Sequence, residues 1–240
     1  MNIVLCENLS PTQDTIETYS PFCLKVHRAL DAAELPYTTR HADRPDAFKK
    51  WNPLGQIPVL LVDGEAISDS TRILHKIAEL APHAFDTSAE AWLWEDFADT
   101  ALNGYLVAAR WFDDRNWPLV RAAYFAKMPS LVRAIIVPKL RRKVLTALFY
   151  RDVTRAGADT LWQRFAVSLA QLEARAPANG YWLGERLSVA DLAIHAQLHS
   201  LRTSLTPTQH RAIAQHARLT AYLDRVELAT TRRPARLHAA

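Results

Sequence analysis

The stretch NPLGQIPVL, residues 52–60, begins as a polar turn and ends in an apolar run that continues for two more residues. A short apolar run that closes on Asp63-Gly64, a hairpin signal, predicts a buried β-strand. Pro58 opens this strand and has no N–H to give to a neighbouring strand, so we expect a tight bend there. The bond between Ile57 and Pro58 is therefore a candidate cis peptide.

The residues on either side of this stretch alternate between strand and helix patterns. Residues 3–6 form another short apolar run, residues 21–35 carry apolar side chains at helical spacing, and residues 36–39 are β-branched and extended. After the hairpin signal, residues 66–67 predict a short strand and residues 70–80 predict a helix with one apolar face. The first part of the chain thus predicts the order β-α-β-β-β-α, with a further helix allowed between the second and third strands.

Strand patterns then end, and an apolar period close to 3.6 recurs for about 150 residues. Prolines interrupt this period at five places: Pro118, Pro129, Pro138, Pro177 and Pro207. We expect a first domain over residues 1–81 and an all-helical second domain over residues 89–230, with a linker near 81–88. Ser188 and Asp191 form a capping-box pattern, and we interpret Asp191 as part of a buried helix start rather than as a catalytic carboxylate.

The composition excludes several classes of protein. The chain has 240 residues, of which 49% are hydrophobic, which is enough for one large or two small cores. Its two cysteines, Cys6 and Cys23, are too few for a disulfide scaffold and favour a reducing, cytoplasmic location. No apolar run approaches the ~20 residues that cross a bilayer, and the first residues lack the features of a secretion signal. We therefore expect neither a transmembrane segment nor secretion.

Charge is unevenly distributed along the chain. Residues 1–80 hold 8 Lys and Arg against 11 Asp and Glu, net −3, and the remainder holds 21 against 14, net +7. This basic excess is scattered and lacks a nucleic-acid-binding motif, so we expect no nucleic-acid partner. Residues 133–155 contain seven basic residues and one acid, a pattern that fits a membrane surface, an acidic partner or a solvated helix face. The basic run at 232–236 predicts a frayed tail.

Two predicted helix starts in the first domain carry groups suited to an anionic ligand. Ser20-Pro21 fits a cap followed by a first helical residue, because proline lacks the N–H that would be unpaired there. Asp69-Ser70 lies at the junction between the last strand and the next helix. Ser70 can cap that helix, and the free N–H groups beside it can hold a carboxylate.

Four motifs, taken in order, resemble those of cytosolic glutathione transferases. They are SPFC at residues 20–23, NPLGQIPVL at 52–60, Asp-Ser at 69–70 and GERLSVAD at 184–191. The resemblance implies an α/β thioredoxin-like N-terminal domain followed by an all-α helical bundle, a homodimer, a role in detoxification, and glutathione as co-substrate. The nine histidines suggest no metal cluster, so we expect no metal. A loop over 129–155, rich in arginine, adds a finer resemblance to the bacterial subset near failed-axon-connections and metaxin-like proteins.

The resemblance also implies a role for each residue of the predicted glutathione site. Pro58 matches the family's cis-proline, and Ile57 before it would present its backbone to the cysteinyl part of glutathione. Gln56 matches a position that contacts the glycine end. Asp69 and Ser70 match the pair that binds the γ-glutamyl amine and carboxylate, a division that suits a zwitterion.

Ser20 matches the activating residue of the serine-type members. The thiolate of glutathione is the nucleophile, yet a free thiol is mostly protonated at pH 7. An alkyl hydroxyl is too weak a base to remove that proton, so we expect Ser20 to donate a hydrogen bond to the sulfur. The dipole at the helix N-terminus favours the same anion. The thiolate would then attack a small, apolar electrophile.

Alternatives to this chemistry remain open in the sequence. Cys23 is either a packed thiol or the nucleophile of a glutathione-dependent thiol reductase or lyase, although Ser20 stands where redox relatives carry their first cysteine. Tyr19 is a weaker candidate for activation. Residues 10–19 exceed the family's usual connection and would either cover the thiol site or displace Ser20 from it. A non-catalytic binding or scaffold protein with the same fold is a further alternative.

The first helices of the second domain are rich in aromatic residues. In the family this region forms one wall of the electrophile pocket, and an aromatic wall suits a flat apolar substrate. The candidates for this wall are Trp92, Tyr105, Trp111 and Phe112. Ordinary helix packing is the competing interpretation for each of them.

Overall fold

The computed structural model of the chain describes residues 1–8, 16–42 and 47–231. The strands are β1 Ile3–Glu7, β2 Thr38–His41, β3 Val59–Val62 and β4 Glu65–Ser68. The helices are α1 Pro21–Ala32, α2 Ser70–Leu80, α3 Ala89–Phe97, α4 Asn103–Trp111, α5 Trp117–Tyr124, α6 Ser130–Tyr150, α7 Ala158–Arg175, α8 Val189–Leu201, α9 Pro207–Ala214 and α10 Ala217–Thr230. A π-helical turn, Ala98–Leu102, joins α3 to α4.

The four strands form one mixed sheet in the order β2-β1-β3-β4. β1 runs parallel to β2 and antiparallel to β3, where Leu5 pairs with Leu60. Asp63 and Gly64 join β3 to β4 with φ of 49° and 91°, the positive values that a two-residue type I′ hairpin needs. The predicted strand and helix order is confirmed. The further helix allowed before β3 is absent from described residues 47–57, which form turns.

α1 is buried on nearly all sides because it packs against α2 of the first domain and against α8 and α10 of the second. Ser20 caps it and Pro21 is its first residue, as the sequence predicts. Lys25 and Arg28 point into this packing and are fully buried. Burial of charged side chains is tolerated where they are paired, and both form ion pairs with carboxylates.

One continuous apolar core connects the two predicted domains. It includes Leu5 and Leu60 from the sheet as well as Ile194 and Val226 from the helical part. The predicted linker is itself held in place, because Asp86 exchanges backbone hydrogen bonds with residues 187 and 189. The chain therefore follows the predicted fold class, with an α/β N-terminal part and a helical C-terminal part.

The start of α8 is the predicted capping box. Ser188 Oγ accepts a hydrogen bond from Asp191 N–H, and the Asp191 carboxylate accepts one from Ser188 N–H at 2.8 Å. Asp191 also accepts hydrogen bonds from Trp182 N–H and the Tyr222 hydroxyl, both at 2.7 Å. Asp191 is fully buried, so its carboxylate joins α8, α10 and the preceding turn.

The prediction of a loop over residues 129–155 is wrong for most of that range, because α6 occupies 21 of these residues. Pro138 lies inside this helix and removes one hydrogen bond, to the carbonyl of Ala134. Ala134 is exposed, so water can satisfy that carbonyl. Pro118 and Pro207 lie in the first turns of α5 and α9, where proline fits well.

No helix within the described ranges is both long enough and apolar enough to span a bilayer. The basic tail at 232–236 lies outside the described residues.

Candidate functional site

A cleft of about 750 Å³ lies where the N-termini of α1 and α2 meet the loop before β3. The six residues predicted to handle glutathione all line it: Ser20, Gln56, Ile57, Pro58, Asp69 and Ser70. They come from three separate segments, and the sheet brings these together because β3 lies between β1 and β4. Asp99 and Tyr124 line the cleft from the helical part of the chain.

Ser20 presents its hydroxyl at the start of α1. Its Oγ accepts a hydrogen bond from Cys23 N–H at 3.3 Å, and its carbonyl accepts one from Leu24 N–H. Pro21 has no N–H, and among the described residues nothing accepts a hydrogen bond from Phe22 N–H. A hydroxyl that already accepts one hydrogen bond still has its hydrogen to donate. The α1 N-terminus can therefore offer an anion both this hydroxyl and a backbone N–H.

The loop before β3 is shaped by Asn52, which is buried beneath it. Asn52 Nδ2 donates to Gln56 O at 3.0 Å, and Asn52 Oδ1 accepts from Leu54 N–H at 3.2 Å. The Ile57-Pro58 peptide is cis, as predicted. Asn52 belongs to the motif over residues 52–60, but its role as a support of the loop was not predicted from the sequence.

Asp69 caps α2 with a positive φ of 79°, a backbone angle that residues other than glycine rarely adopt. Its Oδ1 accepts a hydrogen bond from Arg72 N–H at 3.1 Å, and the residue remains exposed to the cleft. Ser70 is buried beside it as the first residue of α2. Backbone strain of this kind costs about 1–3 kcal/mol and is concentrated at ligand sites.

The π-helical turn carries Asp99 to the edge of the cleft, where π-helical turns commonly mark functional positions. Asp99 forms an ion pair with Lys25 and accepts a hydrogen bond from Gln197 Nε2 at 3.1 Å. Lys25 also pairs with Glu95 at 2.5 Å, so one buried ammonium serves two carboxylates. Burial, together with the Glu95 charge, raises the pKa of Asp99 to about 6 despite the nearby Lys25.

Both cysteines lie in the core and do not line the cleft. Burial raises the pKa of Cys6 to about 11. Burial, with the Glu7 charge in addition, raises the pKa of Cys23 well above its usual value, and contact with the Ser20 hydroxyl offsets only part of this. Thiols in such surroundings are protonated at neutral pH and poorly nucleophilic.

The structure does not bring the four predicted aromatic residues to the cleft. Trp92 stacks on His75, the Tyr105 hydroxyl hydrogen-bonds Ser168, and Phe112 packs in a separate cluster with residues of α6 and α7. These contacts with neighbouring helices fit the competing interpretation of ordinary helix packing. The Trp111 ring contacts the cleft residue Tyr124, with the two ring centroids 6.0 Å apart.

The segment that leads into Ser20 is anchored to the helical part of the chain. Ile16 is buried among Val120, Ala123 and Leu205. The Tyr19 and Tyr124 rings pack with their centroids 4.7 Å apart. Residues 16–19, the end of the long connection, therefore pack against α5 and Leu205. Residues 10–15 of that connection lie outside the described residues.

The fold and the cleft agree with two family models. "Glutathione S-transferase, N-terminal domain" matches residues 19–80, and "Glutathione S-transferase, C-terminal domain" matches residues 152–225. Together they cover more than half of the chain. The chain belongs to the glutathione transferase superfamily.

Solved structures agree with this family at low identity. The beta-etherase LigF from Sphingobium sp. strain SYK-6 is 20% identical, with a TM-score of 0.65 and 95% of each chain covered. A possible glutathione S-transferase from Rhodopseudomonas palustris is 21% identical, with a TM-score of 0.61 and 95% of each chain covered. A glutathione S-transferase from Methylobacterium radiotolerans, in complex with glutathione sulfonate, is 18% identical, with a TM-score of 0.58, 95% of this chain and 91% of that chain covered. No curated protein sequence matches this chain.

Proposed function

We propose that this chain is an enzyme that binds glutathione in the cleft and transfers its thiolate to a small, apolar electrophile. The observation that carries the proposal is the convergence of Ser20 with the cis-proline loop and the Asp69-Ser70 pair on one cleft. Solved relatives that hold glutathione or its sulfonate support the choice of ligand.

The tripeptide would bind through groups matched to its charges. The Asp69 carboxylate accepts the γ-glutamyl ammonium, and Ser70 with the first N–H groups of α2 receives the γ-glutamyl carboxylate. The Ile57 backbone pairs with the cysteinyl residue, and Gln56 contacts the glycine end. The ligand's sulfur then lies toward the start of α1.

Ser20 would stabilise the thiolate rather than remove its proton. Its Oγ accepts from Cys23 N–H, which leaves the hydroxyl hydrogen to donate to the sulfur. Phe22 N–H and the α1 dipole act on the same anion. A hydrogen bond to a charged group contributes about 1.5–3 kcal/mol, enough to increase the thiolate fraction by roughly ten- to a hundredfold.

The electrophile would approach from the side of the cleft formed by Tyr19, Phe22 and Tyr124. These rings are partly exposed and offer an apolar surface to a flat substrate. A reductase or lyase that uses Cys23 is disfavoured because this thiol is fully buried. We further propose that the protein works in the cytoplasm and that it forms a homodimer. Sedimentation equilibrium tests the homodimer.

The test measures glutathione conjugation to 1-chloro-2,4-dinitrobenzene and glutathione affinity by titration calorimetry. Ser20→Ala should lower kcat/KM by at least about tenfold while glutathione affinity changes little, because the lost bond is made to the thiolate. Ser88→Ala is the matched control, since Ser88 caps α3 in the same way but lies away from the cleft.

Three results contradict the proposal in different ways. Absence of glutathione binding at millimolar concentration contradicts the ligand. Binding without turnover of any electrophile indicates the scaffold alternative. Activity that survives Ser20→Ala and is lost in Cys23→Ala assigns the chemistry to the cysteine.

A further inference from the structure

A cluster of two histidines and one glutamate lies away from the cleft, between α8 and α10. His195 and His199 are one helical turn apart on α8, so their rings project from the same face. Glu227 on α10 faces them, with its Oε2 2.7 Å from His195 Nε2 and 3.6 Å from His199 Nδ1. One ligand atom from each residue lies within 4.8 Å of the other two.

These atoms face one another without satisfying hydrogen bonds. Although His195 Nε2 and Glu227 Oε2 are only 2.7 Å apart, their angles are not those of a hydrogen bond, and among the described residues no other group hydrogen-bonds either ring nitrogen of His195, His199 Nδ1 or Glu227 Oε2. His195 is 0% exposed, so water cannot serve it from outside. Buried polar atoms are almost always satisfied, so several polar atoms that converge on one point without protein partners suit a bound cation or water.

The ring nitrogens lie in positions suited to a metal. His195 Nε2 and His199 Nδ1 both face Glu227 Oε2, and imidazole nitrogen is a common ligand of transition metals.

The charged side chains around the cluster carry a net negative charge, which favours a bound cation. Arg28 binds the other oxygen of Glu227 at 2.7 Å and is itself paired with Glu17 at 2.8 Å. The charge of Arg202 also acts on His199, but Arg202 forms an ion pair with Asp224 at 2.6 Å. The two arginines are thus balanced by three carboxylates, which leaves one net negative charge before any ion binds.

We propose that His195, His199 and Glu227 bind one divalent transition-metal ion, with Zn²⁺ as the preferred class, and that water completes its coordination. Two imidazoles and a carboxylate are an established ligand set for zinc. Zinc with ligands at about 2.0–2.1 Å in tetrahedral geometry places neighbouring ligand atoms about 3.3 Å apart. The distances from Glu227 Oε2 to His195 Nε2 and to His199 Nδ1, 2.7 and 3.6 Å, lie on either side of this value. The proposal departs from the sequence-based expectation of no metal.

The site would be open on one side and structural in effect. The side chains of His199 and Glu227 are each 31% exposed, which gives the ion a path from solvent and leaves a position for water. An ion held there would fasten α8 to α10, two helices that already pack together. This inference does not depend on the glutathione chemistry, because the cluster shares no residue with the cleft.

The experiment titrates ZnCl₂ into the full chain, freed of any affinity tag and treated with chelator, and follows heat and melting temperature. We expect one ion per chain, a dissociation constant below about 10 µM, and a rise in melting temperature as Zn²⁺ saturates the native state. The His199→Ala variant removes a partly exposed ligand and should weaken Zn²⁺ at least about tenfold. Glu227→Gln should weaken it similarly, and the exposed His83→Ala is the matched control and should not.

A dissociation constant for Zn²⁺ above about 10 µM in the unmodified chain would overturn the proposal. So would Zn²⁺ affinity that is the same in His199→Ala as in His83→Ala, since the ion would then lie elsewhere. The melting temperatures measured without metal show whether each variant is folded, and Glu227→Gln provides a second ligand variant if His199→Ala is not.

Discussion

Arg110 on α4 donates a hydrogen bond of 2.6 Å from Nη1 to the carbonyl oxygen of Tyr19, the residue immediately before Ser20. The same nitrogen donates to the Tyr124 hydroxyl at 2.8 Å, and Nη2 donates to Ser200 O at 2.7 Å. A buried guanidinium of the helical part thus fixes the backbone that leads into the predicted activating residue. The position of Ser20 is therefore set from outside its own domain.

Replacing Arg110 should disturb both the site and the fold. Arg110→Lys keeps the charge but cannot reach three acceptors in a planar fork, so buried carbonyls lose their donors. We expect the free energy of unfolding to fall by about 1–3 kcal/mol. We also expect the pKa of bound glutathione, measured by thiolate absorbance against pH, to rise.

Arg142→Lys, a change at an exposed position of α6, is the control for Arg110→Lys. A merely structural role for Arg110 would lower stability and leave the pKa of the bound thiol where it is. That outcome would contradict the positioning role.

Asn52→Ala should weaken glutathione binding more than it weakens the fold. The change removes the donor to Gln56 O and the acceptor of Leu54 N–H, so the loop loses its internal support. We expect KM for glutathione to rise about tenfold with a smaller change in kcat. Asn52→Asp, which keeps only the acceptor, should give an intermediate KM, and an unchanged KM in both variants would contradict this role for the loop.

Asp191→Asn should be strongly destabilising. The carboxylate accepts hydrogen bonds from Trp182 N–H, Ser188 N–H and the Tyr222 hydroxyl, and an amide replaces one accepting oxygen with a donor. We expect a loss of about 3 kcal/mol or more in the free energy of unfolding, measured by urea denaturation. Asp96→Asn, at an exposed position, should change stability by less than about 0.5 kcal/mol. Similar losses in the two variants would contradict the capping interpretation.

Asp99 should make stability depend on pH between about 4 and 6. Its pKa is raised from 3.8 to about 6, so the folded state holds its proton over a range in which the unfolded state has released it. The contribution of Asp99 to stability is then largest below about pH 4 and is lost as pH rises through 6.

Asp99→Asn removes this dependence. Relative to that variant, the unmodified chain should lose on the order of 2 kcal/mol of stability between pH 4 and pH 7. Denaturant titrations at a series of pH values measure this difference. A difference that stays constant over the range would show that Asp99 titrates normally.

Local patterns predicted much of the fold and six of the residues that line the cleft. The cis-proline loop, the caps at Ser20 and Asp69, and the capping box at Ser188 all follow from neighbouring residues, because caps, turns and strand starts are short-range features. The six predicted glutathione residues meet because the sheet order places the three segments that carry them side by side.

Two predictions for the helical part of the chain were less successful. The predicted loop over 129–155 is mostly α6, because a proline in an exposed helix removes one hydrogen bond without ending the helix. The four aromatic residues proposed as a pocket wall were chosen because they lie in the first helices of the second domain, and none of them lines the cleft. Asp99 and Tyr124 reach the cleft instead.

The amino-acid order was sufficient for the strand and helix order of the first domain, the hairpin, and the caps at Ser20, Asp69 and Ser188, because each depends on residues within a few positions of one another. Folding in three dimensions was needed for the Lys25 and Asp99 pair, the Arg110 and Tyr19 bond, and the cluster of His195, His199 and Glu227. Their members are separated by between 4 and 91 positions in the chain, and even the two histidines acquire meaning only when α10 brings Glu227 to them. Packing of helices against one another, which no short-range pattern specifies, produces these contacts.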